Sequence, residues 1–205
     1  MADETAQNFE LSEEDRLRAD WYMLLAQLLR EPPQEHDLAG LRKLEGDDSL
    51  LGEAIASLAA AAKATDQAKL KREYHDLFIG IGQGELLPYG SYYLTGFLHE
   101  KPLAKLRGEM NQLGIRRADS VAEPEDHIAA LCEMMAGLIN GAFSQDGVPV
   151  PLATQRQFYE THIGCWAPRF FEDLEAAPSA AFYMPVGTIG RLFLAVEAQA
   201  FDMAA

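Results

Sequence analysis

The chain has 205 residues, 48% of them hydrophobic, with 17 Lys and Arg against 32 Asp and Glu for a net charge of −15. That length suits one ordinary domain, able to bury about 70% of the surface its unfolded form would expose. The acidic balance repels nucleic-acid backbones and anionic membrane surfaces and either favours cationic partners or serves only to keep the protein soluble.

Met1 to about Ser12 is polar and reads as a flexible tail (1–12), leaving 13–205 as the folded domain. This start lacks the basic and apolar runs of a signal peptide, and no apolar stretch approaches the ~18 residues of a membrane span. The expectation is a cytoplasmic protein without stable membrane insertion. The chain's two cysteines, Cys132 and Cys165, fall in apolar-periodic segments and are expected as buried, reduced thiols.

The first predicted helix carries the stripe Leu17, Trp21, Leu24, Leu25 and Leu28, opened by Ser12 with Asp15 three residues on and stopped by Pro32 and Pro33. A second, Ala-rich helix is predicted from Leu50 to about Ala64, capped by Asp48 or Ser49. A third carries Leu70, Tyr74, Leu77, Phe78 and Ile81 on one face and ends in a loop with Gly80, Gly82 and Gly84. Residues 80–88 are expected outside helix. The chain then resumes with Pro88, Tyr89, Gly90, Ser91, Tyr92 and Tyr93.

A fourth helix starts near Pro102 and runs to Gly114. A fifth follows Pro124, placing Asp126 and His127 in its first turn and closing at Asn140-Gly141. After a loop at 144–151 come segments at about 152–164 and 168–176, then a last helix from Gly187 to Met203. No alternating strands, repeats or low-complexity tracts occur. The fold class is all-α, a single-domain helical bundle with a long central loop.

Catalytic patterns are weak. The glycine loop follows a helix rather than a strand and no Lys-Ser/Thr follows its last glycine, so it does not read as a phosphate loop. Ser91 lacks the Gly-x-Ser-x-Gly elbow. The histidines are scattered, with no zinc spacing, and no metal or other cofactor is expected. Trp21, Tyr22 and Trp166 read first as core. Glu123-Pro124-Glu125-Asp126-His127 reads either as a well-capped helix start or as a polar corner for cationic or amide groups. A helix that ends in glycines and restarts at an aromatic cluster is suited to lining a groove for an extended peptide.

Three motifs together resemble the TorD/DmsD family of cytoplasmic chaperones for molybdenum-containing redox enzymes. They are Arg18, Tyr22 and Leu25-Ala26-Gln27-Leu28-Leu29 before Glu31-Pro32-Pro33; Tyr74 to Gly80 with Pro88 to Tyr93; and Glu123 to Ala129 with Glu133 beyond it. The last two are the specific ones. Two departures mark this chain: Ile81 follows Gly80 where the family commonly has proline, and Tyr89-Gly90 stands where a tryptophan often precedes the Ser-x-Tyr segment.

The resemblance implies an all-helical fold, no enzymatic activity, and as partner the catalytic subunit of an apo-molybdoenzyme with its twin-arginine signal peptide. It places the residues of the two specific motifs around the groove or hinge; peptide contacts are expected at Leu77, Phe78, Leu87, Pro88, Tyr89, Ser91, Tyr92, Tyr93, Glu123, Pro124, Asp126 and His127, and this sequence adds Glu85 as a further carboxylate. In that reading arginines pair with Glu123 or Asp126 and stack on the tyrosines, while Leu77, Phe78, Leu86 and Leu87 take the apolar run. An acidic adaptor that reads no peptide and a helical metal-dependent hydrolase are the alternatives. Client identity and the choice between monomer and dimer stay open.

Overall fold

The computed structural model describes residues 11–118, 121–144 and 146–204. Residues 1–10 of the expected tail, and residue 145 of the 144–151 loop, lie outside them.

Among the described residues there are helices and no strands. In chain order they are α1 (Glu13–Arg30), α2 (Glu35–Leu41), α3 (Leu50–Ala64), α4 (Gln67–Tyr74), α5 (Gly90–Thr95), α6 (Lys101–Gln112), α7 (Ile128–Asn140), α8 (Leu152–His162), α9 (Ala167–Ala176) and α10 (Tyr183–Met203). The all-α expectation holds, with 80–88 outside helix. α1 packs along α7, and α10 packs on α9 and α3 while also touching α1.

Local chemistry explains most boundaries. The Ser12 hydroxyl accepts the Asp15 N–H at the start of α1, and the Ser49 hydroxyl accepts the Gly52 N–H at the start of α3. α6 opens with Pro102 in its first turn. The sequence missed α2 and α5, which at seven and six residues are too short to show a period. α10 begins four residues before the expected Gly187; Pro185 sits in its first turn, where no backbone donor is needed.

The α1 stripe is rotated from the predicted one. Tyr22, Leu25, Ala26 and Leu29 are buried, whereas Leu17 is 55% exposed. Both sets satisfy helical spacing, and Leu25 and Leu28 of the predicted stripe are buried as well; the face that is buried packs along α7 and also carries a polar contact to α10. Arg18 forks onto Glu197 of α10 (Nε–Oε1 2.7 Å, Nη2–Oε2 3.0 Å), and the Tyr22 hydroxyl donates to Glu197 Oε2 at 3.1 Å. Arg18 Nη1 also reaches Asp15 and Gln155, and its guanidinium lies over the Phe201 ring.

After Tyr74 the chain makes one π-turn, His75–Ile79, in which Gly80 N–H bonds to His75 C=O at 2.7 Å. The extra residue and the left-handed Gly80 (φ 61°) break the helical register. Leu77 therefore stays in the core while Ile79 and Ile81 turn to solvent. Ile81 does not join the face on which its spacing had placed it. Close approach of α9 and α10 requires Gly190, where an added Cβ would stand 2.3 Å from the Phe171 ring. Cys132 is buried, but Cys165 is exposed in the short α8–α9 connection, against the expectation of two buried thiols.

Glu197 is 1% exposed, so Arg18→Ala would strand its charge. The variant should lose about 3–5 kcal/mol in denaturant unfolding, whereas Arg18→Met with Glu197→Met should recover most of it.

Candidate functional site

The two specific motifs meet in space. Pro88-Tyr89-Gly90 runs antiparallel to Asp126-His127-Ile128, with Ile128 N–H donating to Pro88 C=O and Gly90 N–H to Asp126 C=O, both at 2.9 Å. The Tyr89 ring packs edge-on against His127, 5.2 Å between centroids. The Tyr89 hydroxyl donates to Glu123. Burial and the neighbouring Glu123 raise the pKa of that hydroxyl, so it remains a donor.

Asp126 and His127 are not in the first turn of α7. His127 is its N-cap, with Nδ1 accepting the Ala129 N–H at 3.1 Å. Asp126 lies one residue earlier, and its Oδ2 accepts the Ser91 N–H at 2.7 Å, so it caps α5 across the chain. The connection into α7 is extended, and the two side chains border different cavities. Asp126 is 3% exposed, and its Oδ1 and the Ser91 hydroxyl have no partner among the described residues.

His127 borders a cavity of about 470 Å³. Its floor is apolar (Met110, Ile115, Ala129, Met134, Phe143), and its rim carries Arg30, Arg116, Arg117, Glu123, Glu125 and Glu133. Arg30 pairs with Glu133. Glu125 receives Arg107 on Oε2 (2.7 and 3.0 Å) with Arg117 3.7 Å from Oε1. Burial alone would push the Glu125 carboxyl up, but the Arg107 hydrogen bonds, a backbone hydrogen bond and the charges of Arg107 and Arg117 together outweigh it and hold the carboxyl below the usual range. Among the described residues Glu123 has no cation within ion-pair distance; it is met by the Tyr89 phenol alone. Burial, then the nearby Arg30, lower His127 to about 4, so its imidazole is neutral at pH 7.

The second cavity, about 430 Å³, lies on the Asp126 side beneath α5 and is bordered by Lys101, Lys105, His162 and Trp166.

The structure disperses the other expected contacts. Leu77 is fully buried in the core and offers no surface to a ligand. Phe78 packs edge-on against Tyr74 and Tyr183. Glu85 accepts from the Ser179 N–H and hydroxyl at the α9–α10 corner, where it braces the loop, and it does not border the Glu123 cavity. Pro88 and Ser91 are buried, and Leu87, Tyr92 and Pro124 are half-buried. Tyr93 packs against Trp166 and donates to Asp173 at 3.1 Å. Of the expected residues, only Glu123 and His127 border the main cavity, with Tyr89 joined to Glu123. Arg30 carried no sequence signal, but Glu133 did: it is the one charged residue in α7.

Among the described residues no three His, Cys, Asp or Glu side chains come together to hold a metal, and no helix is long and apolar enough to cross a membrane. The fold and site define an all-helical protein with an apolar-floored, carboxylate-rimmed cavity. Residues 44–172 match the family described as nitrate reductase delta subunit. The chain belongs to that family, within the TorD/DmsD group that its motifs resemble. Similar proteins include "Chaperone protein TorD" of Vibrio atlanticus, 26% identical over 89% of this chain and 93% of the relative. Another is "Tat proofreading chaperone DmsD" of Salmonella typhi, 29% identical over 84% of each chain. A crystal structure from Archaeoglobus fulgidus, described as that of a candidate redox enzyme maturation protein, shares the fold with TM-score 0.54 and 19% identity, covering 92% of this chain and 98% of its own.

The buried Asp126 cap implies that Asp126→Ala acts on stability, lowering it by about 0.5–2 kcal/mol in denaturant unfolding. His127 gives a pH signature. With a folded value near 4 against an ordinary 6.5, the unfolded chain takes up the proton first as pH falls. The stability His127 contributes is complete above about pH 6.5 and is lost as pH falls toward 4, by up to about 1.4 kcal/mol per pH unit. Asn caps a helix without titrating, so His127→Asn should flatten the urea midpoint against pH across that window.

Proposed function

We propose that the protein is a cytoplasmic maturation chaperone for redox enzymes, without enzymatic activity of its own. It holds the twin-arginine signal peptide, or another part, of an apo-molybdoenzyme catalytic subunit until cofactor is inserted. Family membership and relatives named as TorD and DmsD chaperones support the class of function. The observation that carries the peptide reading is Glu123, a carboxylate at the mouth of an apolar-floored cavity with a phenol and, among the described residues, no cation on it.

A guanidinium suits that site. Its planar fork pairs with a carboxylate, and its face stacks on an aromatic ring such as Tyr89. The cavity floor, with Met110 and Met134, takes the apolar part of the peptide, and methionine adapts to side chains of different shape. The neutral His127 adds no competing positive charge at neutral pH. Binding and release need no covalent step.

Glu123→Gln should weaken binding of a synthetic twin-arginine peptide about ten-fold or more, since a hydrogen bond to a charged group contributes about 1.5–3 kcal/mol. Titration calorimetry at several salt concentrations should show affinity falling as salt rises, and a twin-lysine peptide should bind more weakly than its arginine parent. Equal affinity for the two peptides would instead identify an acidic adaptor that responds to charge alone.

A further inference from the structure

Three carboxylates rim the main cavity, and they are held differently. Glu125 is buried and gripped by Arg107. Glu123 meets the Tyr89 hydroxyl. Glu133 is covered by the guanidinium of Arg30, but loosely: the two side chains are 53% and 34% exposed. A half-exposed ion pair of this kind is weak, because solvent competes for both partners.

Arg30 is anchored through its backbone. The Tyr74 hydroxyl donates to Arg30 C=O at 2.7 Å and to Leu29 C=O at 3.2 Å, tying down the end of α1. Its side chain can therefore swing off Glu133 without loosening α1. Glu133 is fixed more firmly, since it stands in the middle of α7 with buried residues on both sides. Beside the buried Glu125, which Arg107 and Arg117 hold, the cavity thus contains a partly exposed guanidinium–carboxylate pair, Arg30–Glu133, next to Glu123, which has no cation among the described residues.

We infer that Arg30 is an internal stand-in for one of the client's two arginines: Glu133 is a second guanidinium site, and the client gains it by displacing Arg30. The inference rests on the reading of this cavity as the client site. One client arginine takes Glu123 without competition, and the other must replace a chemically identical group. Arg30 thereby acts as a selectivity filter. A lysine lacks the fork that matches a carboxylate, so it displaces Arg30 poorly, and a peptide with one arginine fills only the Glu123 position. Because the internal pair is half-exposed, the competition lowers client affinity by no more than about five-fold.

The test is titration of the same twin-arginine and twin-lysine peptides against folded variants, each checked by thermal melting. Arg30→Gln should bind the twin-arginine peptide about two- to five-fold more tightly than the parent protein, and the difference between the two peptides should shrink. Arg30→Lys, which keeps the charge and loses the fork, should give a smaller gain. Arg16→Gln removes the same charge from an exposed position elsewhere on α1 and should leave affinity unchanged. Glu133→Gln should weaken binding and cancel the gain from Arg30→Gln. Unchanged or weaker binding by Arg30→Gln, an equal gain from Arg16→Gln, or a gain that survives Glu133→Gln overturns the inference while leaving the peptide reading intact. A parent protein that binds neither peptide overturns both.

Discussion

Two backbone hydrogen bonds, Ile128 N–H to Pro88 C=O and Gly90 N–H to Asp126 C=O, hold the site in place. Both strands of this contact are loops in a protein otherwise built of helices, and their polar groups are largely buried. Buried amides and carbonyls must find partners, and here each loop supplies them to the other. The contact then propagates outward. Asp126 caps α5, His127 caps α7, and Tyr89 is turned so that its hydroxyl meets Glu123.

The electrostatics of the cavity differ from those of the whole chain. A net charge of −15 draws cations toward the molecule and speeds their encounter, but it cannot tell arginine from lysine. Around the cavity the balance is local, with arginines interleaved among the carboxylates. Discrimination then depends on the shape of each pair and on its exposure to water. Glu125, buried and forked by Arg107, is structural, and Glu133, under a half-exposed arginine, is open to exchange.

Physical reasons also explain where sequence reading of the site succeeded and failed. Tyr89, Glu123 and His127 were legible as motif residues in short polar and aromatic clusters. Leu77 and Tyr93 belong to the same clusters but point inward, because the π-turn after Tyr74 and the packing of α5 on α9 set their directions. Glu85 is spoken for by Ser179, 94 residues away in the chain. Arg30 sits in an ordinary last turn of α1, and only the fold brings it to Glu133.

Helical periodicity determined the all-α class, and the glycine and proline positions determined most helix ends, because propensity, capping and breaking act over a few residues. The sequence alone likewise determined the acidity and the two specific motifs. Tertiary structure decided which face of α1 is buried, because Leu17 and Tyr22 each lie on an apolar stripe of correct spacing and the Tyr22 face is the one that packs along α7, with Arg18 beside it reaching Glu197 of α10. It also decided that Asp126 and His127, adjacent in the chain, serve opposite cavities. Spacing along one segment carries no information about partners supplied by another, and it is those partners that make one carboxylate a helix cap and another a binding group.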